Sequence, residues 1–387
     1  MPQVKPQFET FARIKVVGVG GGGNKAIQRM MQEKIHGVEF VAINLDAQDL
    51  NVANAPTKIL IGKNMTRGLG AGMNPAIGQQ AALESKDDIS DALKGSDMVF
   101  ITSGLGGGTG TGAAPVIAEI ARGLGALTIG VVTKPFSFEG IARARIAEEG
   151  WVQLREKVDA LITISNDRLL SIIDRKTPLL EAFKKVDDVL HQGVQGISDL
   201  ITIPGIINVD FADVRTIMSN SGSALMGIGT ASGEDRAIDA AKSAINSPLL
   251  DISIDGARGV LFNVTGGNDM AMAEISEAAK VITTSIDPEA KVIFGAVQDD
   301  NLKKGELKVT VIAAGFSQGG KSAHPSSAQG ASMFFDNRPS SNGIHHEVPT
   351  PSVASTPVQK SVKEVIDDSL NEDSEFDIPA FIRRKIK

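Results

Sequence analysis

Two glycine-rich segments and one pair of aspartates are the residues whose types and spacing best suit chemistry. Gly18-Val-Gly-Gly-Gly-Gly-Asn24 closes one apolar run and opens a helical pattern. Gly104-Leu-Gly-Gly-Gly-Thr-Gly-Thr-Gly112 does the same after residues 98–102. Without Cβ atoms, backbone N–H groups approach a phosphate closely, and the helix behind adds unpaired donors and its positive dipole end. The first segment fits G-x-G-x-x-G at Gly18, Gly20 and Gly23, with Asp46 near the place of a ribose carboxylate, so a nicotinamide dinucleotide site competes for it. A dinucleotide fold needs only one such loop, and a second points to a polyphosphate gripped from two sides. Thr109 and Thr111 add hydroxyls for phosphate or a cation. No G-x-x-x-x-G-K-[ST] is present, which excludes a P-loop. Asp210 and Asp213, at i and i+3, share a helix face. Two carboxylates in a first turn also complement the helix dipole, and spacing alone does not separate that from chemistry.

Composition narrows the chemistry further. Of 387 residues, 39 are Lys or Arg and 46 are Asp or Glu, a net charge of −7. That balance argues against nucleic acid as the main partner, because phosphate neutralisation needs a cationic surplus. The absence of cysteine excludes disulfides, thiolate nucleophiles and Cys-ligated zinc. His36, His191, His324, His345 and His346 are too scattered for a three-His metal site. No apolar run reaches the length of about 18 residues expected of a transmembrane helix. The polar first ten residues carry no signal core, so a soluble cytoplasmic protein is expected. Its chemistry must use backbone amides, carboxylates and metal-bound water.

The glycine loops need strands to carry them. Apolar runs predict strands at 13–19, 39–45, 97–103 and 127–133, alternating with helices at 24–33, 111–122 and 141–157. This alternation reads as a Rossmann-like, mostly parallel α/β sheet with helices on both faces. Leu179, Phe183, Val186, Leu190, Val194 and Ile197 recur at a period of about 3.6 residues. They predict one long helix over 177–201, entered at Pro178 and broken at Pro204-Gly205. Strands at 224–229, 259–266, 291–297 and 306–314, with helices at 234–245 and 270–285, predict a smaller α+β domain docked on that helix. Residues 317–374 hold 12 Ser and 5 Pro, which suits a disordered linker with a span of roughly 40 Å as a coil. In the tail, Ile378, Phe381 and Ile382 would line one side of a short helix ending in Arg383, Arg384, Lys385 and Lys387, a peptide suited to an apolar groove. The expected organisation is a nucleotide-binding domain (11–177), a central helix (178–202), a loop and its following helix (203–222), an α+β domain (223–316), a linker (317–374) and a binding peptide (375–387).

At Gly106-Gly-Gly-Thr-Gly-Thr-Gly112 the sequence resembles the tubulin/FtsZ GTPase superfamily, and the likeness runs from about Ile14 to Phe316 and into the tail. The resemblance implies a self-assembling GTPase of cell division that binds GTP or GDP with Mg2+, with K+ as an optional aid. It implies that Gly20, Gly21, Gly22, Gly23, Asn24 and Lys25 cradle the phosphates. Gly106, Gly107, Gly108, Thr109, Gly110, Thr111 and Gly112 would wrap them from the other side. Ala71 and Gly72, in loop 67–75, would sense the γ-phosphate, and Asn44 and Asp46 would lie by phosphate or Mg2+. Glu139 and Arg143 would contact ribose and phosphate. Asn166, Phe183 and Asp187 would hold and stack on guanine, whose N1–H and N2–H2 a carboxylate accepts as a pair that adenine lacks. By the same resemblance, Asp210 and Asp213 belong to a loop inserted into the next subunit's site to orient the attacking water. The chain would then polymerise head to tail at the mid-cell ring. Residues 377–387 would dock an FtsA-like membrane tether and other division proteins, leaving membrane contact indirect. Leu45 and Asp49 stand where relatives usually carry Thr and Ala, and Lys25 where Asn or Ala is common. A GTP-binding scaffold that assembles without hydrolysis stays open. Trp151 is expected to pack its helix on the sheet, and His36 and His191 to be ordinary surface or packing residues.

Overall fold

Strand β1 (Ile14–Val19) reads Ile-Lys-Val-Val-Gly-Val, with every residue but Lys15 buried, as a strand covered on both faces requires. The computed structural model describes residues 12–35, 37–172, 177–203, 205–207, 209–247, 250, 253–299 and 302–316. The expected linker, the tail peptide and His36 lie outside these residues.

After β1 come α1 (Gly20–Gln32), β2 (Val38–Asn44), α2 (Ala47–Val52), β3 (Thr57–Leu60), α3 (Lys63–Thr66), α4 (Pro75–Glu84) and α5 (Lys86–Leu93). Next are β4 (Met98–Gly104), α6 (Thr109–Gly123), β5 (Leu127–Lys134), a 3-10 turn (Ser137–Glu139), α7 (Ile141–Lys157), β6 (Ala160–Ser165) and α8 (Asn166–Ile172). The long helix α9 (Leu179–Thr202) leads to α10 (Phe211–Met218), β7 (Gly222–Ser232), α11 (Arg236–Ile245), β8 (Gly259–Gly266), α12 (Met272–Thr284), β9 (Lys291–Gln298) and β10 (Glu306–Ala314).

The ten strands form one sheet in the order β3-β2-β1-β4-β5-β6-β7-β10-β8-β9. The first six run parallel in the doubly wound order 3-2-1-4-5-6. That order reverses direction between β1 and β4, and ligands of such sheets bind outside the strand C-termini at this point. β6 joins β7 through Ala160–Ile162 only, and β10 runs antiparallel to β7 and β8. The sheet therefore continues through the part of the chain expected to dock as a separate smaller domain. β6 carries no distinct sequence signal, since Ala-Leu-Ile-Thr-Ile-Ser is a short apolar run between two helices, and periodicity alone does not tell such a run from helix.

One face of the sheet packs Val16, Phe100 and Ile129 under α1 and α9 through Ile27, Met30, Val194 and Ile197. The other packs Val17, Val99 and Ile101 under α5 and α6 through Ile89, Leu93, Ala113 and Ile117. Such side chains each contribute about 1.5–3 kcal/mol on burial. Arg29 ties α1 to α9 by pairing with Asp188 at 3.2 Å. Trp151 packs as expected, its indole N–H donating to Thr163 Oγ1 on β6 at 2.7 Å. Among the described residues, no helix is long and apolar enough to cross a membrane.

Candidate functional site

β1 and β4 are parallel neighbours, with Val19 opposite Ser103, and a glycine loop follows each. The first helix starts inside its loop, at Gly20 and not at Asn24 as the sequence suggested. Neither α1 nor α6 has a side-chain cap or an acidic residue in its first turn. By contrast, α2, α4 and α10 are capped by Asp46, Asn74 and Asp210. Two uncapped N-termini side by side present free N–H groups and two positive dipole ends, which together favour an anion. They abut: a Cβ on Gly20 (φ +71°) would stand 3.1 Å from Gly110 N.

What surrounds each glycine divides the loops into two classes. A Cβ at Gly23 would lie 2.4 Å from Thr102 O, at Gly110 2.2 Å from Ser103 Oγ, and at Gly112 1.9 Å from Pro75 O. Those positions are glycine because the fold fills the space. Gly107 faces nothing within 4 Å, and Gly21 meets only Asp49 Oδ2 at 3.5 Å. Gly107 thus faces open space, and Gly21 faces only the Asp49 carboxylate. Gly110→Ala is therefore expected to lower unfolding free energy by about 1–3 kcal/mol in urea titration. Gly107→Ala should unfold like the parent yet weaken nucleotide binding about tenfold or more.

A cavity of about 610 Å3 opens in front of the loops, lined by Gly21, Gly22, Lys25, Gly107, Glu139, Arg143, Asn166, Phe183 and Asp187 among others. Its size suits a small-molecule site. Phe183 is 42% exposed and meets Phe136 edge-on at 5.6 Å, and Phe136 stacks on Phe138. Glu139 is fixed by the Phe136 N–H, 2.9 Å from Oε1, and by its ion pair with Arg143. Asn166 Oδ1, at the cavity wall, is buried without a partner; both polar side-chain atoms of Asn24 are also unpartnered, behind the first glycine loop and not in the cavity lining. Unsatisfied buried groups of this kind are rare in folded chains and fit a polar ligand that completes them. Burial, reinforced by neighbouring Asp188, pushes the Asp187 carboxyl up to about 6, while Lys25 and Arg29 pull it down.

Other candidates stand further back. Ala71 packs loop 67–75 against the second glycine loop, where a Cβ on Gly108 would meet its Cβ at 2.7 Å. The Thr111 hydroxyl accepts from Gly106 N at 2.9 Å and so braces the loop. Asp46 accepts from Gln48 N and Asp49 N, so its carboxylate is engaged as a helix cap, which weakens the ribose-binding reading. Thr133 and Lys184 also line the cavity and were not singled out from the sequence. Thr133 sits at the C-terminal end of a strand in a parallel sheet, the one signal that marked it. Among the described residues, no cluster of three His, Asp or Glu suits a metal ion. A second cavity, of about 640 Å3, lies elsewhere, beside Arg155, Arg258 and Lys291, away from both glycine loops.

Asp210 and Asp213 are not at the cavity. α9 carries Phe183 and Asp187 beside it, then runs on to Thr202, about 28 Å beyond Phe183 at ~1.5 Å per residue. Arg215, on the same helix as Asp213, donates to Asp97 O and Gly125 O, just ahead of β4 and β5. The aspartates thus sit at the N-terminal edge of the parallel strands, and the glycine loops at the C-terminal edge.

Residues 13–174 match the model of the Tubulin/FtsZ family GTPase domain, and residues 222–317 that of the FtsZ family C-terminal domain. An empty FtsZ dimer from M. jannaschii is 50% identical, with a TM-score of 0.76 over 79% of this chain and 89% of that one. A mutant of M. jannaschii FtsZ is also 50% identical, at TM-score 0.76, over 80% of this chain and 92% of that one. CetZ2 from Haloferax volcanii, a GTPγS-bound protofilament, shares the fold at 21% identity and TM-score 0.68, over 79% of this chain and 94% of that one. With both domain models matched and half of its residues identical to a solved FtsZ over most of its length, this chain belongs to the tubulin/FtsZ family of GTPases.

Proposed function

We propose that this chain binds GTP in the 610 Å3 cavity and hydrolyses it only within a head-to-tail polymer, the scaffold of a cytoplasmic mid-cell division ring. The observation that carries this reading is the separation of Asp210 and Asp213 from the cavity by the length of the sheet. A carboxylate pair so placed reaches a nucleotide only in a second copy of the chain.

In this reading, guanine stacks on Phe183 and donates N1–H and N2–H2 to Asp187. Glu139 and Arg143 hold the ribose and its phosphate, and the N-termini of α1 and α6 take the polyphosphate. Loop 67–75, packed on the second glycine loop, holds its polymer-competent position while the γ-phosphate is present. The neighbour's Asp210 and Asp213 orient the attacking water and draw off its proton. Mg2+, with or without K+, would supply charge neutralisation at the phosphates when bound. Exposed apolar side chains at both ends support contact between copies: Leu69, Phe138 and Ile141 by the cavity, and Ile206 and Phe294 near the aspartates. Residues 377–387 would anchor the polymer through a membrane tether and other division proteins.

The Asp187 carboxyl, raised to about 6, must be ionised to accept from guanine, so binding lowers its pKa. Affinity is full above pH 7 and falls as pH drops through 6. GDP titrations at pH 7 and pH 5 should differ about tenfold.

The test of the whole reading is GTP hydrolysis per subunit against protein concentration, with light scattering on the same samples. Activity that is near zero when dilute and rises with scattering supports a shared site. Activity independent of concentration overturns it, and binding without hydrolysis at any concentration returns the scaffold reading.

A further inference from the structure

We propose that Asp49 makes nucleotide binding in this chain dependent on a metal cation between its carboxylate and the phosphates; the proposal rests on reading the glycine cradle as the polyphosphate seat. Asn44, 2% exposed, donates from Nδ2 to Asp49 Oδ2 at 2.7 Å, while its Oδ1 accepts from Asp46 N at 3.3 Å. This clamp holds the carboxylate in place. The same Oδ2 lies 3.5 Å from where a Cβ of Gly21 would stand, on a glycine that lines the cavity. Among the described residues, no Lys or Arg pairs with Asp49. Asp46, its neighbour, turns its carboxylate to the amides of α2. Asp49 thus presents a fixed negative charge at the open face of the cradle. Phosphate oxygens beside it are repelled unless a cation lies between the two anions and is attracted to both.

The test is GDP binding by calorimetry to the nucleotide-free full chain, in EDTA and in Mg2+, for the parent, Asp49→Asn and Asp49→Ala. Asparagine keeps the acceptor for Asn44, and alanine removes it. In EDTA both variants should bind GDP about five- to tenfold more tightly than the parent, and their gain on adding Mg2+ should shrink by a similar factor. Parent-like values in both variants overturn the proposal. A change confined to Asp49→Ala also overturns it, because that pattern reports the lost Asn44 clamp and not the charge. A parent chain that binds no GDP in either buffer overturns the nucleotide reading of the cavity itself, and this inference with it.

Discussion

An Asp213→Ala variant is expected to bind GTP within about twofold of the parent and to lose hydrolysis by two to three orders of magnitude, roughly what removing one positioned catalytic group costs. Asp213 gives a cleaner test than Asp210. The Asp210 side chain accepts from Ala212 N at 3.2 Å, so its removal uncaps α10 at a cost of about 1 kcal/mol. Asp213 stands in the first turn of α10 and is not its cap, so its loss removes only a dipole interaction of about 0.3–1 kcal/mol. The variant should therefore unfold almost like the parent, and lost turnover would not be lost fold. Mixing adds a second arm. Asp213→Ala subunits keep an intact cavity, and subunits damaged at Asp187 keep intact aspartates. If the carboxylates act on a neighbour, a mixture of the two recovers turnover that neither shows alone. A mixture no better than the average of its parts, or normal turnover by Asp213→Ala alone, would remove these aspartates from the mechanism.

Asp187→Asn is expected to weaken GTP binding about a hundredfold and to erase most of the preference for guanine over adenine. The carboxylate accepts two hydrogen bonds from guanine N1–H and N2–H2, whereas an amide offers one acceptor and presents N–H groups to donors. The free protein should move the other way. Because burial raises the Asp187 carboxyl to about 6, the folded chain binds this proton more tightly than the unfolded chain does. The protonated form thus adds stability at low pH that is lost as pH rises through about 6. Asparagine removes that loss, so the nucleotide-free variant should be more stable at pH 7 by on the order of 1 kcal/mol, with little difference near pH 4. Weaker nucleotide binding with a more stable free chain is the pattern of a functional carboxylate held at a cost to the fold. A variant that is less stable at pH 7 and binds GTP normally would make Asp187 a packing residue.

The sequence alone settled several features of this protein. Alternating apolar runs and 3.6-residue periods placed α7, β8 and β10 at their observed bounds and α9 within two residues, because the strands are buried almost throughout and each helix turns one apolar stripe to the core. The two glycine loops were equally legible, since only glycine tolerates backbone so close, and the seven-residue stretch ending at Gly112 already carried the family resemblance. The tertiary structure decided what local pattern does not encode. Whether a glycine serves the fold or faces a ligand depends on neighbours distant in sequence: Gly112 is pressed by Pro75, whereas Gly107 faces open space. The short strand β6 becomes a strand only by pairing with β5 and β7, and through that pairing one sheet runs on from the parallel strands into β7, β10, β8 and β9. That Asp46 Oδ1 caps α2 through Gln48 N and Asp49 N is likewise set by the folded backbone and not by its place in the sequence. The i, i+3 spacing of Asp210 and Asp213 carried no distance to the cavity. The length of α9 and the direction of the parallel strands set that distance, because both are properties of the packed chain.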